Sequence, residues 1–398
     1  MLLKIIYRNL AHKPLGAALS VALLALSTGI ISMLLLLQTQ LQQKFERDLK
    51  DIDLVVGAKG SPLQLVLSAV YHVDAPTGNI PLEEVEKLRK MRSISGVTPL
   101  AYGDSYQRFR ILGTDSTFIS RYGGKLKSGR LFGQPLEAVV GATVAENTKL
   151  QVGQTFFSTH GDAEEGEQHD HAGYVVTGIL ERSNTVLDNL LLTDVASVWN
   201  IHEEGHEEHG HVHEQDTIHR EITAALVKAR SVHSAMTLPM MINESTGMQA
   251  ASPALEINRL MKMLGIGVTA LQTLALGIML ISGFSVFIAL YNRLRERKYE
   301  LALMRSMGCS RLRLFWMLLS EGMLLAVTGF ACGLMLSRLG LWILNTSAAS
   351  EFHFVFRYEP VRAELWLLGI TVLVGALAAL VPAISALRMN LSRALADA

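Results

Sequence analysis

The sequence predicts an α+β membrane protein: four transmembrane helices, one and then three, with a large α+β domain between the first and the second. Three observations carry this. Of 398 residues 49% are hydrophobic while the formal net charge is zero, too apolar for an ordinary soluble chain and too polar for one built only of spanning helices. Four apolar stretches, at residues 15–37, 264–290, 314–335 and 365–387, reach the length that crosses about 30 Å of hydrocarbon. Between the second and third lies a block at 293–313 in which Arg293, Arg295, Arg297, Lys298, Arg305, Arg311 and Arg313 outweigh Glu296 and Glu300. The positive-inside rule puts that block on the cytoplasmic face.

One loop so placed orients the whole chain. Both termini become cytoplasmic, residues 38–263 lie outside, 336–364 form a short second outside loop, and 388–398 form a cytoplasmic tail. Residues 1–14 set Leu2, Ile5, Ile6 and Leu10 against Lys4 and Arg8, the spacing of an amphipathic helix in the inner headgroup layer. Lys4, Arg8 and Lys13 also suit a secretory signal, but the apolar run behind them is too long for a cleaved one. A polar, charged helix at 38–50 follows it, so an uncleaved anchor is expected.

In the outside domain, Pro81 to Met91 reads as a helix, and Arg108 to Leu112, Ala138 to Gly141, Tyr174 to Leu180 and Glu221 to Val227 read as strands. Gly103, Gly113, Gly123, Gly124, Gly129 and Gly133 are expected at turns. Val55 to Val73 is apolar enough that burial against the membrane-proximal base or a second protomer is expected. The two cysteines, Cys309 and Cys332, fall in the basic block and the third apolar stretch, so the domain has no disulfide framework.

The basic block has more to say. Leu301, Met304 and Met307 fall on one helical face, predicting a short amphipathic helix along the bilayer with its apolar face open to a soluble partner. Overall neutrality argues against nucleic acid as a partner. The chain has no GxxxxGK[ST] loop, GxSxG or HExxH, hence no nucleotide site and no evident catalytic constellation of its own. Glu321 lies about two turns inside the third stretch, where a carboxylate must face another helix or water. It is either a switch that pairs with a basic group or a static interhelical hydrogen bond. Gly329 and Gly333 make a GxxxG step that would let a neighbouring helix approach closely.

The segment ERKYELALMRSMGCSR at 296–311, followed by Glu321 and Gly322, resembles the signature of FtsX/MacB-type ABC transporter permeases. So do YRNLAHKPLGAALS at 7–20 and PAISALRMNLSRAL at 382–395. ILGTDSTF (111–118), SGRLF (128–132), VVGATVAENTKLQVGQTF (139–156) and YVVTGIL (174–180) are similar to that family's periplasmic core domain. The resemblance implies a permease subunit of the bacterial inner membrane, paired as a homodimer or heterodimer, with residues 38–263 periplasmic. It implies a cytoplasmic ABC ATPase dimer that binds ATP and magnesium, no catalytic cofactor on this chain, and a periplasmic binding protein or adaptor as a further partner. Residues 291–313 then form the coupling helix, with Glu296, Arg297, Glu300, Leu301, Met304, Arg305 and Gly308 at the ATPase contact. The implied mechanism is mechanotransmission, acting on a peptide, lipoprotein or other amphiphile. The alternative is a non-transporting regulator of a cell-wall hydrolase or a sensor kinase.

Histidine departs from the family pattern. Nine of the thirteen histidines lie between positions 160 and 219, among many Asp and Glu. His160, His169 and His171 form one cluster, and HEEGHEEHGHVHE at 202–214 supplies His202, His206, His209, His211 and His213. Imidazole with carboxylate suits zinc, copper or nickel, zinc being favoured by availability. The signal is compositional rather than a defined ligand set, so the 160–219 insertion is expected to sense or hand over zinc rather than to hold it in a closed site.

Overall fold

The computed structural model describes residues 14–159, 168–207, 220–352 and 356–388. It divides into two units, Met1–Leu41 with Met263–Ala398, and Gln42–Lys262. The amphipathic helix expected at 1–14 lies, but for Pro14, outside the described residues.

The first helix, α1 (Pro14–Asp48), is longer than its apolar run, because the residues after Leu37 are good helix formers such as Gln, Lys, Glu and Arg. The domain then proceeds through β1 (Leu54–Ala58), α2 (Pro62–Tyr71), β2 (Ile80–Pro81), α3 (Leu82–Arg89), β3 (Ile94–Tyr106) and β4 (Phe109–Gly113). It continues through α4 (Ser116–Arg121), β5 (Leu126–Gly129), β6 (Glu137–Val140), α5 (Ala142–Thr148), β7 (Thr155–Thr159) and β8 (Gln168–Leu180). A 3-10 turn at Val186–Asn189 leads to β9 (Leu190–Thr193), α6 (Val195–Glu207), β10 (Glu221–Ile222), β11 (Ala224–Ala229), α7 (Val232–Ser245) and β12 (Met248–Ala251).

The main sheet has the order β12-β1-β11-β3-β4-β9-β6-β8-β5, and β7 pairs with both β8 and β3. Those pairings close a ring of strands, β3-β4-β9-β6-β8-β7. Alternation along each strand divides the apolar side chains between two faces. On β9, Leu190 and Leu192 join the cluster that holds Val55 and Leu226, while Leu191 joins Phe109, Val140 and Tyr174 in another. On β11, Leu226 faces the first cluster, while Ala225 and Val227 face a third with Leu54 and Val56.

Two expectations are corrected here. Val55 to Val73 does not need a membrane or a second protomer to cover it: Val55, Leu65, Val66, Ala69 and Val70 are buried in the domain's own core. Ser61 caps the start of α2 by accepting from the Gln64 N–H, which turns the apolar face of that helix onto the sheet. Gly103 lies inside β3 rather than at a turn, and Gly113 is the last residue of β4. The reason at Gly113 is close approach, since a Cβ there would sit 2.7 Å from Val198 Cγ2.

The C-cap of α2 is His72, in the left-handed region at φ 57°. Its Nδ1 is 2.5 Å from the Tyr102 hydroxyl, which itself donates to the Ser68 carbonyl. The single hydroxyl proton of Tyr102 is therefore used, so Nδ1 carries the ring proton and donates. Nε2 is left buried without a partner. Burial, with a smaller contribution from Arg110, holds the imidazole neutral and lowers its pKa to about 3.

The remaining helices are α8 (Pro253–Glu296), α9 (Lys298–Ser306), α10 (Arg311–Phe352) and α11 (Arg362–Leu387). Among the described residues, α1, α8, α10 and α11 are the four helices long and apolar enough to cross a membrane. Their shared interior includes Leu24, Ile31, Met279, Val286, Leu325 and Leu367. Most other large apolar side chains of α8, among them Leu274, Ile281 and Phe284, face outward, as expected where lipid replaces water.

Candidate functional site

The candidate site is the segment joining α8 to α10. The chain leaves α8 at Glu296, turns at Arg297 and starts α9 one residue later, so a short helix lies against the ends of its neighbours. Gly308 ends α9. At φ +96° it occupies the left-handed C-cap conformation that disfavours residues with a Cβ, and the Cys309 N–H returns to the Met304 carbonyl at 3.0 Å. Its role in the segment is therefore to shape the turn into α10.

The apolar face of α9 is not free. Leu301 and Ala302 are buried, and Leu301 packs with Leu294, Leu314, Met317, Leu318, Ala383 and Ala386, with Met304 at the edge of the same cluster. The expectation that Leu301, Met304 and Met307 together await a soluble partner is corrected accordingly. Helical period turns Leu301 and Met304 onto the bundle, while Met307, past the last helical residue, stays exposed with Tyr299, Glu300 and Leu303. Glu296 is exposed, Arg305 is half-buried, and Arg297 Nε lies 3.8 Å from Glu300 Oε2.

Beside α9 runs a groove of roughly 320 Å³ whose lining includes Arg293, Arg297, Tyr299, Glu300, Met304 and Glu321. At its wall Arg293 Nη1 donates to Glu321 Oε1 at 2.5 Å, tying the last turns of α8 to α10. Glu321 thus makes an interhelical hydrogen bond to a basic group, a contact that both a switch and a static hydrogen bond would use.

A second buried pair lies 17 residues further along α10, from Glu321 to Arg338, or about 25 Å at 1.5 Å per residue. Arg338 Nη1 and Nη2 donate to Glu364 Oε1 and Oε2 at 2.6 and 2.9 Å. Ser32 Oγ on α1 donates to the same Oε1 at 2.5 Å, and the Val361 N–H donates to Oε2 at 3.3 Å. Three helices meet at one carboxylate. Sequence reasoning missed this centre, because it placed 336–364, and Arg338 with it, in the short second outside loop. The signal was available in Ser32 and Glu364, polar residues at the ends of apolar runs.

The GxxxG step is used within the chain. A Cβ on Gly329 would lie 2.6 Å from Leu24 Cβ, and one on Gly333 would collide with Thr28 Oγ1, both on α1. Gly29 completes the contact, its Cβ position falling 3.0 Å from the Gly333 carbonyl oxygen. Gly322 and Gly375 make a similar approach between α10 and α11.

The histidine expectation falls outside what can be placed. His160, His209, His211 and His213 lie outside the described residues, and so do the side chains of His169 and His171 in β8 and of His202 and His206 in α6. Among the described residues, no group of three or more His, Cys, Asp or Glu is arranged to hold a metal.

Four spanning helices, a large α+β domain after the first and a short helix between the second and third define a multi-pass membrane protein with one extramembrane domain. Residues 17–236 match the MacB-like periplasmic core domain, and residues 273–391 match the FtsX-like permease C-terminal family. The chain belongs to the FtsX/MacB-type ABC transporter permeases. An uncharacterized ABC transporter permease protein of Mycobacterium tuberculosis is 31% identical over 133 residues, covering 31% of this chain and 15% of that protein. The chain thus matches only a small part of that relative's length. The periplasmic region of MacB from Actinobacillus actinomycetemcomitans aligns at 14% identity and TM-score 0.36, covering 55% of this chain and 98% of that one. The extracellular domain of the noncanonic ABC-type transporter YknZ from Gram-positive bacteria aligns at 12% identity and TM-score 0.32, covering 50% and 99%.

Proposed function

We propose that this permease is a mechanotransmitter of the bacterial inner membrane, in which a separate cytoplasmic ATPase acts on α9 and the spanning helices relay the displacement to the large domain, placed in the periplasm. One observation carries the reading. The inner face of α9 is fixed to the bundle through Leu301, while Tyr299, Glu300, Leu303 and Met307 remain exposed. A force applied to the outer face is therefore delivered to the ends of α8 and α10, which Arg293 and Glu321 join. The buried interior, being close-packed, passes displacement on rather than absorbing it. Both helices that leave the bundle for the domain, α1 and α8, are unbroken over their lengths. A peptide, lipoprotein or other amphiphile is the proposed cargo.

The test is co-purification of the permease with its ATPase from membranes. Replacing Glu300 and Arg305 together by Ala is expected to leave insertion intact and to reduce the recovered ATPase. Undiminished recovery from correctly inserted double variant overturns the assignment.

Zinc handling by the 160–219 insertion is part of the proposal and rests on its imidazole and carboxylate content. Calorimetric titration of the full-length protein with zinc is expected to lose heat when the five histidines of 202–214 are replaced by Ala. Identical titrations would remove zinc from the account.

A further inference from the structure

The last turn of α1, beyond the apolar run at 15–37 and within the large domain, carries an acid that mechanotransmission through α9 does not use. Asp48 is fully buried, and neither of its carboxyl oxygens has a hydrogen-bond partner. Among the described residues six buried side-chain polar atoms are left in this way, and five of them belong to Asp48, His72, Arg121 and Tyr122. They gather in one part of the core, where the Phe118 ring lies 6.1 Å from that of His72 and 5.1 Å from that of Tyr122. Asp48 is close enough to Tyr71 and Tyr122 to act electrostatically on both phenols. The turn is held there by Phe45, whose ring meets that of Tyr71 edge-on at 4.9 Å and whose carbonyl accepts from the Tyr71 hydroxyl at 3.3 Å. Asp188, on the 3-10 turn, offers Asp48 no donor, since its own carboxylate accepts from the Ser183 and Asn184 N–H groups.

We propose that Asp48 is a proton-binding site that governs how firmly the last turns of α1 sit on the domain core. A carboxylate buried without a donor is costly, whereas the carboxylic acid carries no charge and brings a donor of its own. Protonated, Asp48 stays in the core; ionised, it draws the turn outward to Lys44, one helical turn earlier, and to water. Burial pushes its pKa up to about 6, against the pull of Lys44 and Arg47 on its own helix and with a smaller push from Asp188. In water the carboxyl returns to its ordinary 3.8, so between that value and about 6 the seated turn holds a proton that the released turn gives up. Seating is firmest below 3.8, weakens as pH rises, and levels off above about 6. None of this depends on whether an ATPase acts on α9.

The experiment is amide hydrogen exchange of the full-length protein in nanodiscs at about pH 4.5 and about pH 7.5, corrected for the intrinsic pH dependence of exchange. Residues 44–50 are read against the amides of β11 in the same domain. In wild type the exchange of 44–50 relative to β11 is expected to rise roughly tenfold or more at the higher pH, each unit of raised pKa being worth about tenfold in the seating equilibrium. Asp48→Asn, nearly isosteric and neutral throughout, is expected to keep at the higher pH the protection that wild type shows at the lower. His72 does not imitate this, because its contribution to stability is lost as pH falls and not as it rises. A wild-type ratio that stays the same at both pH values overturns the proposal, and so does a rise that Asp48→Asn shares. If Asp48→Asn does not fold, the wild type decides alone: a rise confined to 44–50 supports the assignment, and an equal rise in β11 overturns it.

Discussion

Arg293 on α8 and Glu321 on α10 form an ion pair whose side chains are only 11% and 6% exposed, at the wall of the groove beside α9. Few arrangements bind two spanning helices so specifically, because removing either partner leaves a buried charge with nothing to offset it. The pair makes the ends of α8 and α10 one mechanical piece.

Glu321→Ala is expected to destabilise the bundle by about 3–5 kcal/mol, the usual cost of orphaning one member of a buried pair. Arg293→Met combined with Glu321→Leu should recover most of that loss, since both charges are then gone. Thermal unfolding in detergent decides it. A double variant no more stable than Glu321→Ala would show that the pair is not what joins these helices.

Gly333→Val should separate α1 from α10, because a side chain at Gly333 collides with Thr28 Oγ1 and approaches the Ala25 carbonyl oxygen within 2.9 Å. Gly369 in α11 provides the control, having nothing within 4 Å of its Cβ position. Unfolding midpoints should fall for Gly333→Val and stay near wild type for Gly369→Val. Equal midpoints for the two variants would refute the α1–α10 contact.

His72 gives the large domain a pH dependence with a definite sign. Its folded pKa, about 3, lies below the ordinary histidine value of 6.5, so between those values the unfolded chain binds the extra proton. The stability this group contributes is complete above pH 6.5 and is lost progressively as pH falls toward 3. His72→Asn, which accommodates the left-handed backbone and does not titrate in this range, should be less stable at pH 8 and show a shallower decline on acidification. Denaturant midpoints across pH 8 to 4 measure it, and parallel declines in both proteins would contradict the assignment.

Length and hydropathy were sufficient to read the four spans, because a spanning helix must satisfy its backbone internally and is therefore written as one continuous apolar run. The strands at Ala138 and Tyr174 were legible for a related reason, each being a short local run rich in β-branched residues. Val55 to Val73 was misread because apolar content says that a segment is buried and not what buries it. The same limit applied to Leu301, whose partners Leu314 and Ala383 are distant in sequence and are brought to it by the packing of the bundle.

What the sequence by itself determined about this protein is therefore its class, its membrane content and the location of the basic segment, since each follows from local composition and spacing. Tertiary structure alone decided which residues meet: Arg293 with Glu321, Ser32 and Arg338 with Glu364, and Gly333 with α1. The physical reason is that an ion pair or a close helix contact is a relation between residues far apart along the chain. Its energy depends on distance and burial, and neither exists until the helices have packed.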